Sequence, residues 1–336
     1  MTKELGIFDA NIKTDVSLEK SPVVELSYKD IDPSKDLTAS IAPEFGSNLF
    51  KFRLGDLDLI HCDSDLLRAR DFTGTFVMWP IPNRLKDKKY SWQGEEYSLA
   101  GLKRPQGNNV LVHGLVFDKP WNFDLPIASK NFTRVRTYTE INENHPFFAG
   151  FPFKSRISLD YILSTDGMKV VYTIDNQSKQ DLPFGFGLHP YFKALSEKST
   201  ILISAPANYV MKADSELLPS GRLDNVEGTA FDLRQPQRLN RLNLDHVFTG
   251  LEPGKYGSID YTSEKLKINL ETSGDFSHLT IYTPSVTEPF FCMENQTCST
   301  DALNLDKQGF KQESHLLSVA PGQRYSGYIK YQVSHY

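Results

Sequence analysis

Two segments of the chain carry side chains that could exchange protons with a bound molecule. Residues 183–192 combine two glycines with several aromatic side chains and contain His189 directly before Pro190. Because proline rarely continues a central strand, we expect His189 to lie where a strand ends. Residues 289–296 form an apolar run that ends on Glu294. Histidine titrates near neutral pH and burial raises the pKa of a carboxyl group, so the two could act as general acid and general base.

Two other segments could bind hydroxyl groups. Residues 79–84 contain two prolines and end on Arg84, and aromatic residues follow at 90–97. A guanidinium group can hold two hydroxyls, and aromatic faces pack against the C–H surfaces of sugars. An apolar stretch also delivers His113 and then Gly114, where glycine permits close approach of the backbone to a ligand. Taken singly, each of these segments also fits a purely structural role.

Several other chemistries lack their sequence signatures. The chain contains no GxxxxGK[ST], GxGxxG, HExxH or GxSxG pattern. No two of its eight histidines are two or four residues apart, the spacing at which neighbouring histidines share a metal. We therefore expect neither a metal site nor a cofactor.

The sequence predicts that short strands position these side chains. Apolar residues alternate with polar ones over residues 155–163 and 168–175, and the Asp166-Gly167 turn between them predicts a β-hairpin. Residues 265–270 and 279–283 alternate as well, which predicts a second hairpin. Frequent prolines and glycines and the absence of long helical periodicity favour one all-β domain over residues 1–336, a large antiparallel sandwich.

Composition sets limits on location and partners. With a net charge of −5, nothing in the chain favours binding to nucleic acid or to an anionic membrane. No apolar run approaches the roughly 18 residues that a membrane span needs. The polar first 20 residues lack the layout of a signal peptide. Three widely spaced cysteines, Cys62, Cys292 and Cys298, are then expected as reduced thiols in a cytoplasmic protein.

Taken together and in this order, the four segments resemble the aldose 1-epimerase (galactose mutarotase) family. The matching residues are Asn83-Arg84, His113-Gly114, His189-Pro190-Tyr191-Phe192 and Glu294-Asn295-Gln296. The resemblance extends from about Gly46 to the C-terminus. Pro190 stands where many relatives have threonine, which indicates a branch of the family.

The resemblance implies a galactose mutarotase-like supersandwich whose concave face holds a monosaccharide. It implies that Glu294 is the general base, that His189 is the general acid, and that His113 contacts the ring oxygen or a hydroxyl. Arg84 would bind hydroxyls, and Asp245 is the best match for an aspartate of the family. The implied reaction interconverts the α and β anomers of a free aldose such as glucose or galactose through the open-chain aldehyde.

Three alternatives remain open. A hexose-phosphate 1-epimerase would need a cluster of cations for the phosphate, and phosphate-handling relatives carry an arginine shortly after the His-Gly pair. Here the residues after the His-Gly pair, Leu115-Val116-Phe117-Asp118, include an acid and no arginine, which favours a free aldose. A non-catalytic carbohydrate-binding protein would not need both His189 and Glu294, and a structural sandwich would not bring the four segments together. We expect a monosaccharide as the partner and a monomer or weak homodimer.

Overall fold

The computed structural model of the chain describes residues 6–102 and 109–336. In chain order, the strands are β1 (Ile7–Asp15), β2 (Ser21–Lys29), β3 (Leu37–Ala42), β4 (Asn48–Leu54), β5 (Leu57–Asp58), β6 (Thr75–Met78), β7 (Arg84–Lys86), β8 (Lys89–Trp92), β9 (Glu95–Ser98), β10 (Val110–Val112), β11 (Asn122–Phe123), β12 (Ile127–Ala128), β13 (Thr133–Ile141) and β14 (Ser155–Ser164). They continue with β15 (Gly167–Asn176), β16 (Leu182–Phe184), β17 (Gly187–Lys193), β18 (Ile201–Ser204), β19 (Ala207–Ala213), β20 (Pro219–Asn225), β21 (Gln237–Arg238), β22 (Asp245–Leu251), β23 (Gly257–Tyr261), β24 (Leu266–Thr272), β25 (His278–Tyr282), β26 (Phe290–Gln296), β27 (Leu317–Val319) and β28 (Arg324–His335). The helices are α1 (Ser64–Arg68), α2 (Ala302–Lys307) and α3 (Lys311–Ser314).

The strands pair in antiparallel fashion into three large sheets. The N-terminal sheet has five strands in the order β1-β2-β3-β4-β5. The largest sheet runs β11-β13-β14-β15-β28-β24-β23-β18-β21, with β12 also paired to β13. A seven-stranded sheet has the order β20-β19-β22-β25-β26-β17-β6. The all-β, antiparallel fold class predicted from the sequence is confirmed.

The period-two pattern reports which face of each strand is buried. In β14, Ile157, Leu159, Tyr161 and Leu163 are at most 1% exposed, and the alternate residues are mostly more accessible. The same alternation in β15 buries Met168 and its i+2 neighbours. Side chains of a strand point alternately to opposite faces, so each strand contributes every second residue to the core. The predicted hairpin is confirmed, because β14 pairs with β15 and Ser164 faces Gly167 across the turn.

The second predicted hairpin is wrong. Strand β24 lies between β23 and β28 in the largest sheet, whereas β25 lies between β22 and β26 in the seven-stranded sheet. The polar link between them crosses from one sheet to the other, and its first residue, Ser273, donates its N–H to the carbonyl of Tyr328 on β28. Alternation identified both strands correctly, but it contains no information about which sheet each strand joins.

Pro190 does not end its strand, contrary to the sequence-based expectation. Strand β17 continues to Lys193 and is a central strand, with β6 on one side and β26 on the other. Pro190 pairs with Thr75 of β6, whereas on the β26 side the paired positions are Gly187 and Tyr191–Lys193. Proline has no N–H to donate, and its position coincides with the part of β17 that is not paired to β26. Glu294 likewise lies two residues inside β26 and not at its end.

Two simpler expectations concern cysteines and membrane spans. Cys62, Cys292 and Cys298 are free thiols, and the last two are buried. Among the described residues, no helix has the length and apolar character needed to cross a bilayer.

Candidate active site

His189 and Glu294 face each other across the β17–β26 pair. Gly187 pairs with Gln296 and Tyr191 pairs with Cys292, so the same register places His189 opposite Glu294. Side chains at facing positions point to the same side of a sheet. The Nε2 atom of His189 lies 3.1 Å from Oε1 of Glu294, within hydrogen-bonding distance.

Burial shifts the protonation of both groups. His189 is 6% exposed and Glu294 is 2% exposed. The pKa of His189 is lowered from 6.5 to about 3, mainly by desolvation and also by the positive charge of Arg84. Desolvation raises the pKa of Glu294 well above 4.5, and the nearby Asp245 carboxylate raises it too. Since both charged forms are disfavoured and the two atoms touch, the pair titrates as one unit that shares a proton.

Aromatic packing fixes the His189 ring. The rings of Phe76 and Tyr191 stack on it, with centroid distances of 4.6 and 4.9 Å and interplanar angles of 25° and 19°. The His113 ring meets it edge-on, with a centroid distance of 5.0 Å. These contacts hold Nε2 towards Glu294 before any ligand arrives, which is the kind of preorganisation that proton transfer requires.

A buried amide holds the Glu294 carboxylate. Gln296, two residues further along the same face of β26, donates from Nε2 to Oε2 of Glu294 at 3.1 Å. The same nitrogen lies 3.0 Å from Oγ1 of Thr280, which pairs with Glu294 from β25. Oε2 is therefore tied to the sheet, and Oε1 is presented to His189. The bond from Gln296 favours the ionised carboxylate and lowers the pKa of Glu294 against the effect of burial.

All five residues predicted for the site line one cavity of about 390 Å³. They are Arg84, His113, His189, Asp245 and Glu294. The cavity volume lies within the range of small-molecule sites. It also contains residues to which sequence reasoning assigned no role in the site, namely Phe72, Asn83, Val110, Val112, Tyr191, Thr280 and Tyr282. Tyr191 could have been found, because it lies two residues from His189 on the same strand. Thr280 and Tyr282 could not, because their strand carries no predicted site residue.

Arg84 begins β7, and a buried aspartate holds that strand. Asp301 donates its N–H to the carbonyl of Arg84 at 2.8 Å and accepts from the N–H of Lys86 at 3.0 Å. Burial raises the pKa of Asp301 to about 6. The guanidinium also donates from Nη1 to Oδ1 of Asn83 at 2.9 Å. Nothing in the sequence singled out Asp301, because the groups that it holds on β7 are backbone groups more than 200 positions away.

His113 reaches the cavity through a short strand pair. Strand β10 pairs with β7, so that Val112 faces Arg84, and His113 donates its N–H to the carbonyl of Asn83 at 2.6 Å. Gly114, with φ of +75°, makes a close approach to the Trp79 backbone, since an added Cβ would lie 2.4 Å from the Trp79 carbonyl oxygen. The glycine thus lets the chain pack against the Trp79 backbone, and the expectation that it lets the backbone approach a ligand stays a prediction.

Three side chains of the site could together hold a metal ion. Donor atoms of His189, Cys292 and Glu294 all lie within 4.8 Å of one another. Burial raises the pKa of Cys292 well above 9.0, so a metal would have to displace the thiol proton. The histidine-spacing test could not find this group, because its donors come from two neighbouring strands.

Comparison with known proteins identifies a matching family and several distant relatives of this chain. The family described as aldose 1-epimerase matches residues 31–332. Human galactose mutarotase is 27% identical over 181 residues, which cover 52% of this chain and 49% of that protein. The uncharacterised Escherichia coli protein YihR is 25% identical over 196 residues, covering 58% of this chain and 60% of YihR. The chain thus spans about half to 60% of the length of these curated relatives.

Solved structures show the same fold over the full length. A galactose mutarotase-like protein from Clostridium acetobutylicum superposes with a TM-score of 0.83, at 18% identity, over 98% of this chain and 99% of that one. Galactose 1-epimerase from Lactobacillus acidophilus gives a TM-score of 0.76 at 18% identity, again over 98% and 99% of the two chains. At this identity, the likeness establishes the galactose mutarotase-like fold.

Proposed function

Because the chain belongs to the aldose 1-epimerase family, we propose that it interconverts the α and β anomers of a free aldose by opening and closing the sugar ring. The observation that carries this proposal is the buried contact between His189 and Glu294 at the cavity wall. Anomer exchange needs one proton to leave the C1 hydroxyl while another reaches the ring oxygen. Two neighbouring groups that share a proton are suited to this exchange.

The reactive form of the pair is the one in which the shared proton lies on His189 and Glu294 is ionised. In the forward direction, Glu294 takes the proton of the C1 hydroxyl as the bond between C1 and the ring oxygen breaks. His189 gives a proton to that oxygen, and the open-chain aldehyde forms. After rotation about the C1–C2 bond, the hydroxyl returns its proton to His189 and closes on the other face of the carbonyl. The carbonyl oxygen then recovers its proton from Glu294. Charge and protons balance over the cycle, and the pair is restored.

The remaining residues are assigned to binding and positioning. Arg84 and Asp245, one cation and one carboxylate on the cavity wall, bind hydroxyls of the sugar. His113 contacts the ring oxygen or a neighbouring hydroxyl. Gln296 holds Glu294 and is a positioning residue, because its amide bonds to the carboxylate.

A free aldose is favoured over a hexose phosphate by the charges of the cavity. Among its described lining residues, Arg84 is accompanied by two carboxylic acids, Asp245 and Glu294. A phosphate dianion needs several cations or N–H donors, and it is repelled by ionised carboxylates. A neutral sugar hydroxyl can bond to either kind of group.

The proposal is tested by polarimetry on freshly dissolved α-glucose and α-galactose. We expect catalysed mutarotation that follows enzyme concentration and saturates with sugar. Binding of these sugars without any acceleration over the uncatalysed rate would favour the non-catalytic carbohydrate-binding protein instead. Acceleration with a hexose 6-phosphate alone would favour the hexose-phosphate epimerase.

A further inference from the structure

A second cavity lies beside the candidate active site. It has a volume of about 210 Å³ and shares four lining residues with the first cavity, Asn83, Arg84, Asp245 and Thr280. Among its described lining residues are neither His189 nor Glu294. Arg84 and Asp245 therefore stand between two compartments, one with the acid–base pair and one without it.

The second compartment is built from a different part of the seven-stranded sheet. Its further walls come from the end of β19, the β19–β20 connection, β20 and the start of β22. A monosaccharide that places C1 at His189 and Glu294 occupies the first cavity, and the second is left for whatever the sugar carries on a carbon remote from C1. Its occupant must then be attached to the sugar near Arg84 and Asp245.

The apolar part of the lining suits the C–H faces of a sugar. Phe231 is partly exposed and packs against the ring of His246, with a centroid distance of 4.8 Å and a tilt of 49°. Met211 supplies a buried apolar surface beside them. Aromatic rings and a thioether provide broad contact surfaces without demanding a charged partner.

The polar part of the lining suits hydroxyls and disfavours an anion. Lys212, Asp214 and Asp224 are exposed side chains of the compartment. Together with the shared Arg84 and Asp245, they give the lining three carboxylates and two cations. Asp214 accepts the N–H groups of Glu216 and Leu218 through Oδ1 alone, and its Oδ2 can accept from a ligand. These carboxylates repel a phosphate, sulfate or carboxylate substituent, whereas they accept hydrogen bonds from hydroxyl groups.

We propose that this second cavity is a subsite for a neutral glycosyl unit, so that the preferred substrate is the reducing end of a disaccharide or longer oligosaccharide. The inference rests on the proposed mutarotase activity for its catalytic meaning, although the subsite can be tested by binding alone. The reducing sugar lies in the first cavity and undergoes the anomer exchange. The attached sugar lies against Phe231 and does not react.

The test compares glucose with reducing disaccharides that end in glucose, including both 1→4-linked and 1→6-linked members. We expect at least one neutral disaccharide to exceed glucose at least fivefold in kcat/KM and in affinity measured by calorimetry. Glucose 6-phosphate should show no such gain. Equal or weaker binding and turnover of every disaccharide would overturn the subsite while leaving glucose mutarotation, and hence the proposed function, in place.

A blocking variant assigns the gain to this compartment. Ala213 is an exposed residue of β19 that lines the second cavity and is not among the lining of the first. Ala213→Trp should abolish the disaccharide advantage and leave kcat/KM for glucose within twofold of the wild-type value. Ala128→Trp, at an exposed strand alanine outside both cavities, is the matched control and should retain the advantage. Circular dichroism and a thermal melt check that both variants fold.

The two possible failures can be distinguished. If no sugar is turned over but a disaccharide binds at least fivefold more tightly than glucose and Ala213→Trp removes the difference, the subsite stands and the proposed mutarotase activity fails. If the disaccharide advantage survives Ala213→Trp, the extra sugar binds elsewhere and the subsite is wrong.

Discussion

His189 and Glu294 occupy facing positions on β17 and β26, and their side chains touch through Nε2 and Oε1 at 3.1 Å. Each group is buried, and burial moves their pKa values in opposite directions, downwards for the imidazole and upwards for the carboxyl group. The contact therefore defines a single unit that carries one proton over a range of pH. The pH dependence and mutational sensitivity of the enzyme should follow from that unit.

The first prediction concerns the pH profile of kcat/KM. The competent pair has one proton, since one group must donate while the other accepts. Activity should fall at low pH, when the pair gains a second proton, and at high pH, when it loses its only proton. The profile should be bell-shaped, and its two apparent pKa values belong to the pair. Polarimetric rates across pH check this, and a rate that rises monotonically with pH would contradict it.

The second prediction concerns the charges beside the pair. Asp245 raises the pKa of Glu294, so Asp245→Asn should shift the bell to lower pH. The positive charge of Arg84 lowers the pKa of both His189 and Glu294, so Arg84→Gln should shift it to higher pH. Both variants should also raise KM. Arg222→Gln, at an exposed position of β20, is the control and should leave the profile in place. Shifts in the same direction for Asp245→Asn and Arg84→Gln would refute the electrostatic assignment.

The third prediction concerns Gln296 as a positioning residue. Gln296→Met keeps the length of the side chain and removes the N–H bond to Oε2 of Glu294. Hydrogen bonds to charged groups contribute about 1.5–3 kcal/mol, so kcat should fall by roughly ten- to a hundredfold with KM little changed. Since that bond lowers the pKa of Glu294, the profile should also move to higher pH. A loss of activity without movement of the pH profile would indicate a merely structural role.

The fourth prediction concerns stability. A carboxyl group whose pKa is raised by folding stabilises the fold below its unfolded pKa, and this contribution is lost as pH rises through the folded pKa. Glu294→Gln removes the titration and keeps the hydrogen-bonding shape. The melting temperature of the variant relative to wild type should therefore increase between pH 4 and pH 8. Glu216→Gln, at an exposed glutamate, is the control and should show no such trend. A constant difference would mean that Glu294 is not desolvated in the folded protein.

The parts of the fold that depend on residues close together in the sequence could be predicted from it. Alternation located the strands and their buried faces, and a two-residue turn identified the β14–β15 hairpin. Alternation could not assign strands to sheets, and so the link between β24 and β25 was taken for a hairpin. Pro190 was taken for a strand end because a proline cannot donate to a neighbouring strand. The sequence does not show that the ladder to β26 is open at this position.

Sequence reasoning singled out four segments that carry site residues, and the resemblance to the family supplied their roles and the assignment of Asp245. Arg84, His113, His189, Asp245 and Glu294 come from separate elements, and strand pairing brings them into one cavity. Asp301 was missed because it acts on the backbone of β7, and backbone contacts leave no residue pattern. The group formed by His189, Cys292 and Glu294 was missed because its donors meet only across a strand pair.

The most direct test of the proposed mechanism is the rate of mutarotation of α-glucose and α-galactose by Glu294→Gln, His189→Asn and the double variant. Each single change should lower kcat by about 10²–10⁴-fold and raise KM far less, and the double variant should lose little more than either single one. Circular dichroism should show that all three remain folded. If Glu294→Gln retains near-normal mutarotation of every aldose tested, acid–base catalysis by this pair is wrong.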